Sequence, residues 1–187
     1  MLMMRTVTIR PFRGRTQSSL LILTTGLRMV AKSSLSSASV DLESLVGHDI
    51  RRLQQIAVAI FLQENHALGL TPVQYAALQG VRNTPGVDQR TLARTIGFDT
   101  STIAGVVDRL EARGLMRRNA SASDRRVRLL EVTEEGVKLL EEALPAVMHV
   151  QERILEPLPA KERVEFTRML RQLVLANNEL SRAPSGH

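Results

Sequence analysis

At 187 residues and 43% hydrophobic content, the chain can bury one substantial core, which favours a single domain with an extension over two independent domains. It has no cysteine, so disulfides and thiol-based redox sensing are excluded, and no apolar run approaches the ~18 residues of a membrane span. The net charge of +6 invites a nucleic-acid partner, yet six of the 25 bases fall in acid-free residues 1–40, leaving 19 bases against 19 acids elsewhere. Affinity for a polyanion must therefore come from local clustering of bases.

Residues 1–40 carry Arg5, Arg10, Arg13, Arg15, Arg28 and Lys32 among many Ser and Thr, with no sustained period, a composition that fits a disordered basic extension. A phosphate-touching arm and a targeting peptide are the functional alternatives. From Asp41 a long amphipathic helix is expected, with Leu42, Val46, Ile50, Leu53, Ala57 and Ile60 at spacings of four and three and Leu45, Ile56 and Phe61 widening the stripe. Gly69 should end it. Thr71-Pro72-Val73-Gln74 then opens a second helix with a capping box and a first-turn proline, running through Tyr75, Ala77, Leu78 and Val81 to the stop at Pro85-Gly86.

Asp88 is placed to cap a short helix holding Leu92, Ala93 and Ile96, and Gly97 suits the left-handed geometry that ends it. Asp99 can cap the next helix. There Ile103, Val106, Val107 and Leu110 recur at core spacing, leaving Thr100, Ser101, Thr102, Ala104, Gly105, Asp108 and Arg109 mostly outward. Gly114 closes that helix, and Leu115-Met116-Arg117-Arg118 leads through Ser121–Asp124 to Arg125–Val132, the pattern of a basic hairpin. Two short helices, a tight turn and a hairpin make a winged helix–turn–helix. Thr133 caps a further helix carrying Val137, Leu140, Leu144, Val147, Met148, Ile154 and Leu155, with a kink expected at Pro145. After Leu158-Pro159 a last helix, presenting Phe166, Leu170, Leu173, Val174 and Leu180, should reach about Ser181 before a loose tail at 183–187.

The segment Asp124-Arg125-Arg126-Val127-Arg128-Leu129-Leu130-Glu131-Val132-Thr133-Glu134-Glu135-Gly136 resembles the wing signature of the MarR family, DxR followed by a strand and [LV]TxxG. Asp108–Leu115, reading DRLEARGL, resembles the family too, and the similarity extends from roughly Asp41 to Arg182. A start at Met29 or nearby would bring the chain closer to the usual family length. The resemblance implies a homodimeric bacterial regulator, usually a repressor, that a small ligand releases from DNA in the cytoplasm, at the nucleoid. The expected fold is mainly α with a small β wing: a winged unit over 71–133, and N- and C-terminal dimerisation helices over 41–68 and 134–182.

Candidate DNA contacts follow. Arg125, Arg126 and Arg128 crowd the hairpin beside a capped short helix, which favours DNA over a solvated charge run. By resemblance, Arg126 would enter the minor groove and Asp124 would orient a neighbouring arginine. Arg117 and Arg118 can meet phosphates or pair with acids. Thr100, Ser101 and Thr102 can reach phosphates or bases, and Arg109 a phosphate or a helix-surface acid. Ala104 and Gly105 stand where many relatives carry longer side chains, which puts more weight on groove shape.

For an effector, His48 and Arg52 share a helix face at i, i+4 with Arg51 beside them, a cationic corner able to take a carboxylate or simply a solvated pair. Gly47–Gln55 resembles the same helix in MarR regulators of aromatic-acid catabolism, which implies an arginine holding an effector carboxylate, of the nicotinate or benzoate type, with Tyr75 able to line the pocket. Scattered His48, His66, His149 and His187 lack a partnered nucleophile or metal-ligand spacing, so no catalytic centre, metal or cofactor is expected. A ligand-independent DNA-coating protein is the rival reading. The winged portion of a methyltransferase would need a further α/β domain for which the chain has no room.

Overall fold

The computed structural model describes residues 41–121 and 127–181. Their helices are α1 (Val46–Glu64), α2 (Pro72–Asn83), α3 (Gln89–Thr95), α4 (Thr100–Ala112), α5 (Glu134–Leu155) and α6 (Ala160–Ala176), with one antiparallel hairpin of β1 (Met116–Ala120) and β2 (Arg128–Val132) between α4 and α5. The fold is thus a mainly helical winged helix–turn–helix.

The first helix is shorter than its apolar stripe suggests. Asp41 caps a separate 3-10 turn, Leu42–Ser44, by accepting from the Glu43 amide, and Leu45 is extended, so α1 starts at Val46 and not at Asp41. At the far end the buried Asn65 donates to the Phe61 carbonyl (3.0 Å), α1 stops at Glu64, and a second 3-10 turn, His66–Leu68, carries the chain to Gly69 at φ +55°. An extended backbone at Leu45 and a side-chain bond from Asn65 thus set ends that the apolar spacing does not mark. The last helix likewise ends at Ala176, where Asn177 turns back onto the Leu173 carbonyl and a 3-10 turn, Asn178–Leu180, follows. α5 runs as one helix through Pro145, whose missing N–H leaves the Glu141 carbonyl without its intrahelical donor.

Other expected signals fall into place. Thr71 and Gln74 form a reciprocal capping box, and Asp88, Asp99 and Thr133 each accept from the first-turn amides of α3, α4 and α5. Ile103, Val106, Val107 and Leu110 are fully buried against Ala77, Leu78 and Val81 of α2, Leu92 and Ala93 of α3, and Met116 and Leu130 of the hairpin. At ~1.5–3 kcal/mol per buried large aliphatic side chain, this cluster is what holds α4 in place. The hairpin register pairs Met116 with Val132 and Ala120 with Arg128. A pairing that no periodicity announces joins it: Leu130 donates to Val87 and Gly86 donates to Leu130, both at 2.9 Å, so the loop before α3 acts as a third edge.

α1 packs along α5, with Arg153 paired to Glu64. α6 places no residue in the core. Val164, Met169, Leu170, Leu173, Val174 and Leu175 on it are exposed, as are Leu42 and Leu45 just before α1 and Val46 and Ile50 at its start.

Gly136, in the first turn of α5, is buried, and a Cβ there would sit 2.2 Å from the Leu115 carbonyl oxygen and 2.6 Å from Val132 Cγ1. The first of these neighbours is backbone and cannot swing aside. Gly136→Ala is expected to destabilise the fold by about 2–3 kcal/mol, as an overpacked core does, read as a lower urea midpoint with an unchanged slope. A midpoint equal to that of the parent would mean the contact relaxes freely.

Candidate nucleic-acid interface and effector corner

α4 owes its exposed leading turn to Asp99. Its carboxylate accepts from the Thr102 amide (2.7 Å) and from the hydroxyls of Ser101 and Thr102, which hold its pKa far below the usual carboxylate range. Two of the three hydroxylated candidates therefore spend their protons on the cap. They face outward as acceptors, and only Thr100 keeps a hydroxyl without an internal partner among the described residues. Asp88 does the same for α3, its pKa lowered by the Thr91 hydroxyl and by the amides of Thr91 and Arg90.

Ala104 and Gly105 are half-buried, and Arg109 makes use of the missing side chain: one of its guanidinium nitrogens lies 3.4 Å from where a Gly105 Cβ would be. Arg109, from one turn onward, thus lies beside the space that a side chain at position 105 would enter.

The hairpin arginines divide into two kinds. Arg117 makes a bidentate cross-strand pair with Glu131 (3.0 and 2.9 Å), and that hydrogen-bonded pairing raises the pKa of the guanidinium and lowers that of the carboxyl. Arg118 is half-buried between Asp108 and Glu111 of α4 and within 3.5 Å of Gln89 on α3. Burial works against its charge, but the bonds to Asp108 and Glu111 prevail and raise its pKa. Both side chains thus take the acid-pairing alternative, tying the hairpin to the helices. Arg128 and Arg109 are exposed and have no acid partner among the described residues. So are Arg90 and Arg94 of α3, which sequence reasoning passed over although both fall outside the buried Leu92–Ala93 face. Asp124, Arg125 and Arg126 lie outside the described residues.

The effector candidates are not gathered at one place within a single chain. His48 is half-buried, Arg51 is exposed and reaches Gln55 (3.4 Å), and Arg52 is exposed. At about 100° per residue these three lie largely opposite Ile50, Leu53, Gln54 and Ala57. Those four line a cavity of about 340 Å³ shared with Ile154 and Leu155 of α5 and Phe166 and Leu170 of α6. Tyr75 packs its ring on Phe61 with centroids 6.0 Å apart, nine residues beyond Arg52 and so about 14 Å further along the α1 axis. Tyr75 packs partly buried against the core, and none of the four candidates lines that cavity.

Comparison with known proteins agrees with this architecture. A family model described as "MarR family" matches residues 70–127. The chain is similar to the HTH-type transcriptional repressor NicR of Pseudomonas putida, 32% identical over 144 residues that span 77% of this chain and 91% of that protein. Among solved structures it is similar to BpsR of Bordetella bronchiseptica, whose DNA binding is regulated by 6-hydroxynicotinic acid (30% identity, TM-score 0.68, 72% of this chain and 96% of that one). It is also similar to the transcriptional repressor CouR of Rhodococcus jostii RHA1 bound to a 23-mer DNA duplex (31% identity, TM-score 0.67, 71% and 94%).

The two capping carboxylates predict an acid-sensitive reading unit. Both have folded-state pKa values below the unfolded value near 4, so the stability they contribute is present above that value and is lost as pH falls through their folded values. Asp99→Asn keeps a capping oxygen but no titration. Its unfolding midpoint should lie below the parent's at pH 7, where the carboxylate's contribution is present, and fall less steeply below pH ~4. Parallel pH profiles for parent and variant would remove Asp99 from the acid response.

Proposed function

The chain belongs to the MarR family of transcriptional regulators and is not an enzyme, and from that premise we propose that it works as a homodimer on a pseudo-palindromic operator, from which a small aromatic carboxylic acid releases it. The observation that carries this reading is α6: a 17-residue helix with an apolar stripe and no buried residue, beside an equally uncovered start of α1. A second copy buries both stripes, and the twofold axis then sets two α4 helices about 34 Å apart, in successive major grooves.

On DNA, α4 presents Thr100, Ser101, Thr102 and Ala104 to the major groove. The exposed cations Arg90, Arg94, Arg109 and Arg128 meet phosphates, and Arg125 and Arg126 belong to the wing, with Arg126 in the minor groove beside Asp124. Arg117 and Arg118 hold the hairpin in position through their acids instead of reading DNA. The effector is an aromatic or heteroaromatic carboxylate, a class supported by the acid named for BpsR. Its carboxylate is taken by Arg51 and Arg52 with His48, a cationic face that the single chain leaves open and that the second copy completes at the edge of the apolar interface. Tyr75 serves the pocket only through Phe61. A ligand favouring the spacing that mismatches successive grooves by ~2–3 kcal/mol changes occupancy by tens of fold.

Arg126→Ala should weaken operator binding and lower the steepness of its salt dependence by about one counterion per arm. The dimer should stay intact by light scattering, and unaltered affinity and salt slope would take the wing out of the interface. For the effector, a thermal-shift screen against benzoates and hydroxynicotinates should give a ligand that raises the Tm of the parent and not of Arg52→Ala, since a ligand of the folded state stabilises it by mass action. A response retained in Arg52→Ala moves the carboxylate elsewhere. Silence across the panel favours ligand-independent DNA binding.

A further inference from the structure

The recognition helix ends in a turn, Arg113-Gly114-Leu115, to which both connections toward the dimerisation helices are fastened. On one side, Arg113, the C-terminal cap of α4, donates from its two terminal guanidinium nitrogens to the carbonyls of Gly69 (2.8 Å) and Leu68 (3.1 Å). Those carbonyls belong to the link between α1 and α2, 44 and 45 residues away. A planar guanidinium can span two neighbouring carbonyl oxygens, which a lysine ammonium cannot do in the same fixed geometry. On the other side, the Thr133 hydroxyl donates to the Gly114 carbonyl (2.7 Å) and the Thr133 amide to the Leu115 carbonyl (3.2 Å). Thr133 is the cap that starts α5, and Gly136 in its first turn comes so close to Leu115 that no Cβ fits. α1 and α5 also pack on each other. Three consecutive residues thus take hold of both links to a packed helix pair.

We propose that this turn fixes the angle of α4 against α1 and α5, with Arg113 and Thr133 as positioning residues that set which half-site spacing the dimer accepts. The spacing role rests on the operator reading above; the fastening itself does not. A rigid joint holds the two reading helices at one separation, whereas a loosened joint lets them follow half-sites moved apart or rotated along the duplex.

The test uses the full chain. A duplex is selected by the parent protein from a randomised library, and derivatives are made with one and two base pairs inserted between the half-sites. The readout is the ratio of affinities for the parent and lengthened duplexes, because a loss of folded protein lowers binding to every duplex by the same factor and leaves the ratio unchanged. Arg113→Gln and Thr133→Val should each reduce the ratio about tenfold, a coupling typical of an allosteric joint. Thr133→Ser, which keeps the hydroxyl, should restore it. Ratios equal to the parent's in both Arg113→Gln and Thr133→Val overturn the positioning role. Without DNA, Arg113→Gln should speed amide exchange at Leu68 and Gly69 about tenfold, as local opening of the link becomes easier. If the parent selects no duplex, the operator reading fails, and exchange alone decides the fastening: unchanged protection at those two amides overturns it.

Discussion

The close approach of Gly136 to the Leu115 carbonyl is the constraint on which the arrangement of this protein depends. The first turn of α5 must lie against the turn that ends α4, and only a residue without a side chain permits it. Once that contact is made, Thr133 is in place to cap α5 while its hydroxyl also reaches Gly114, and β2 is drawn alongside β1 in the register that pairs Met116 with Val132. The hairpin, the recognition helix and the long helix leading away from them are thereby settled together. This gives the TxxG part of the signature a physical reason. The threonine is a cap with a second bond, and the glycine is the space into which a neighbouring backbone fits.

Charge is organised with similar economy. A hairpin rich in arginine looks like a uniform basic surface, yet Arg117 and Arg118 are already committed to Glu131, Asp108 and Glu111. Pairs at the surface add little stability when isolated, but the Arg118 side chain is only 21% exposed and bonds two carboxylates of α4, so it fastens the hairpin to that helix. What is left for a polyanion on the winged unit is the smaller set without internal partners, Arg90, Arg94, Arg109 and Arg128 among its described residues. A region of the chain with balanced charge can serve a MarR-family regulator in this way: on the winged unit, caps and ion pairs engage the described acids and leave particular cations exposed.

Local features were legible in the sequence and long-range ones were not. Ile103, Val106, Val107 and Leu110 were readable as core because helical period and burial coincide, and Asp88, Asp99 and Thr133 as caps because a cap needs only its own first turn. The breaks at Leu45 and Asn65 were hidden by an apolar stripe that runs across them, since the stripe records which face is buried and not where the backbone stops being helical. The third edge at Gly86–Asp88, the commitment of Arg118 and the reach of Arg113 to Leu68 and Gly69 join different elements across seven to 45 positions, for which periodicity carries no signal. The effector candidates divide in a related way: sharing a helix face places His48 beside Arg52, whereas nothing in the spacing announces that Tyr75 packs on Phe61.

The uncovered stripe of α6 connects these points to regulation. One reading unit offers only a few free cations and a recognition turn whose hydroxyls are partly engaged in capping, so a single copy would hold DNA weakly. In the proposed dimer, two units join through the apolar faces of α1 and α6, the second contact is intramolecular, and affinity depends on whether the joint presents both helices at the separation the duplex requires. A protein built this way need not lose any DNA contact to be switched off. On the proposed reading, a ligand beside α1 need only tilt the helix pair to which the end of α4 is tied, because both half-sites could not then be engaged together.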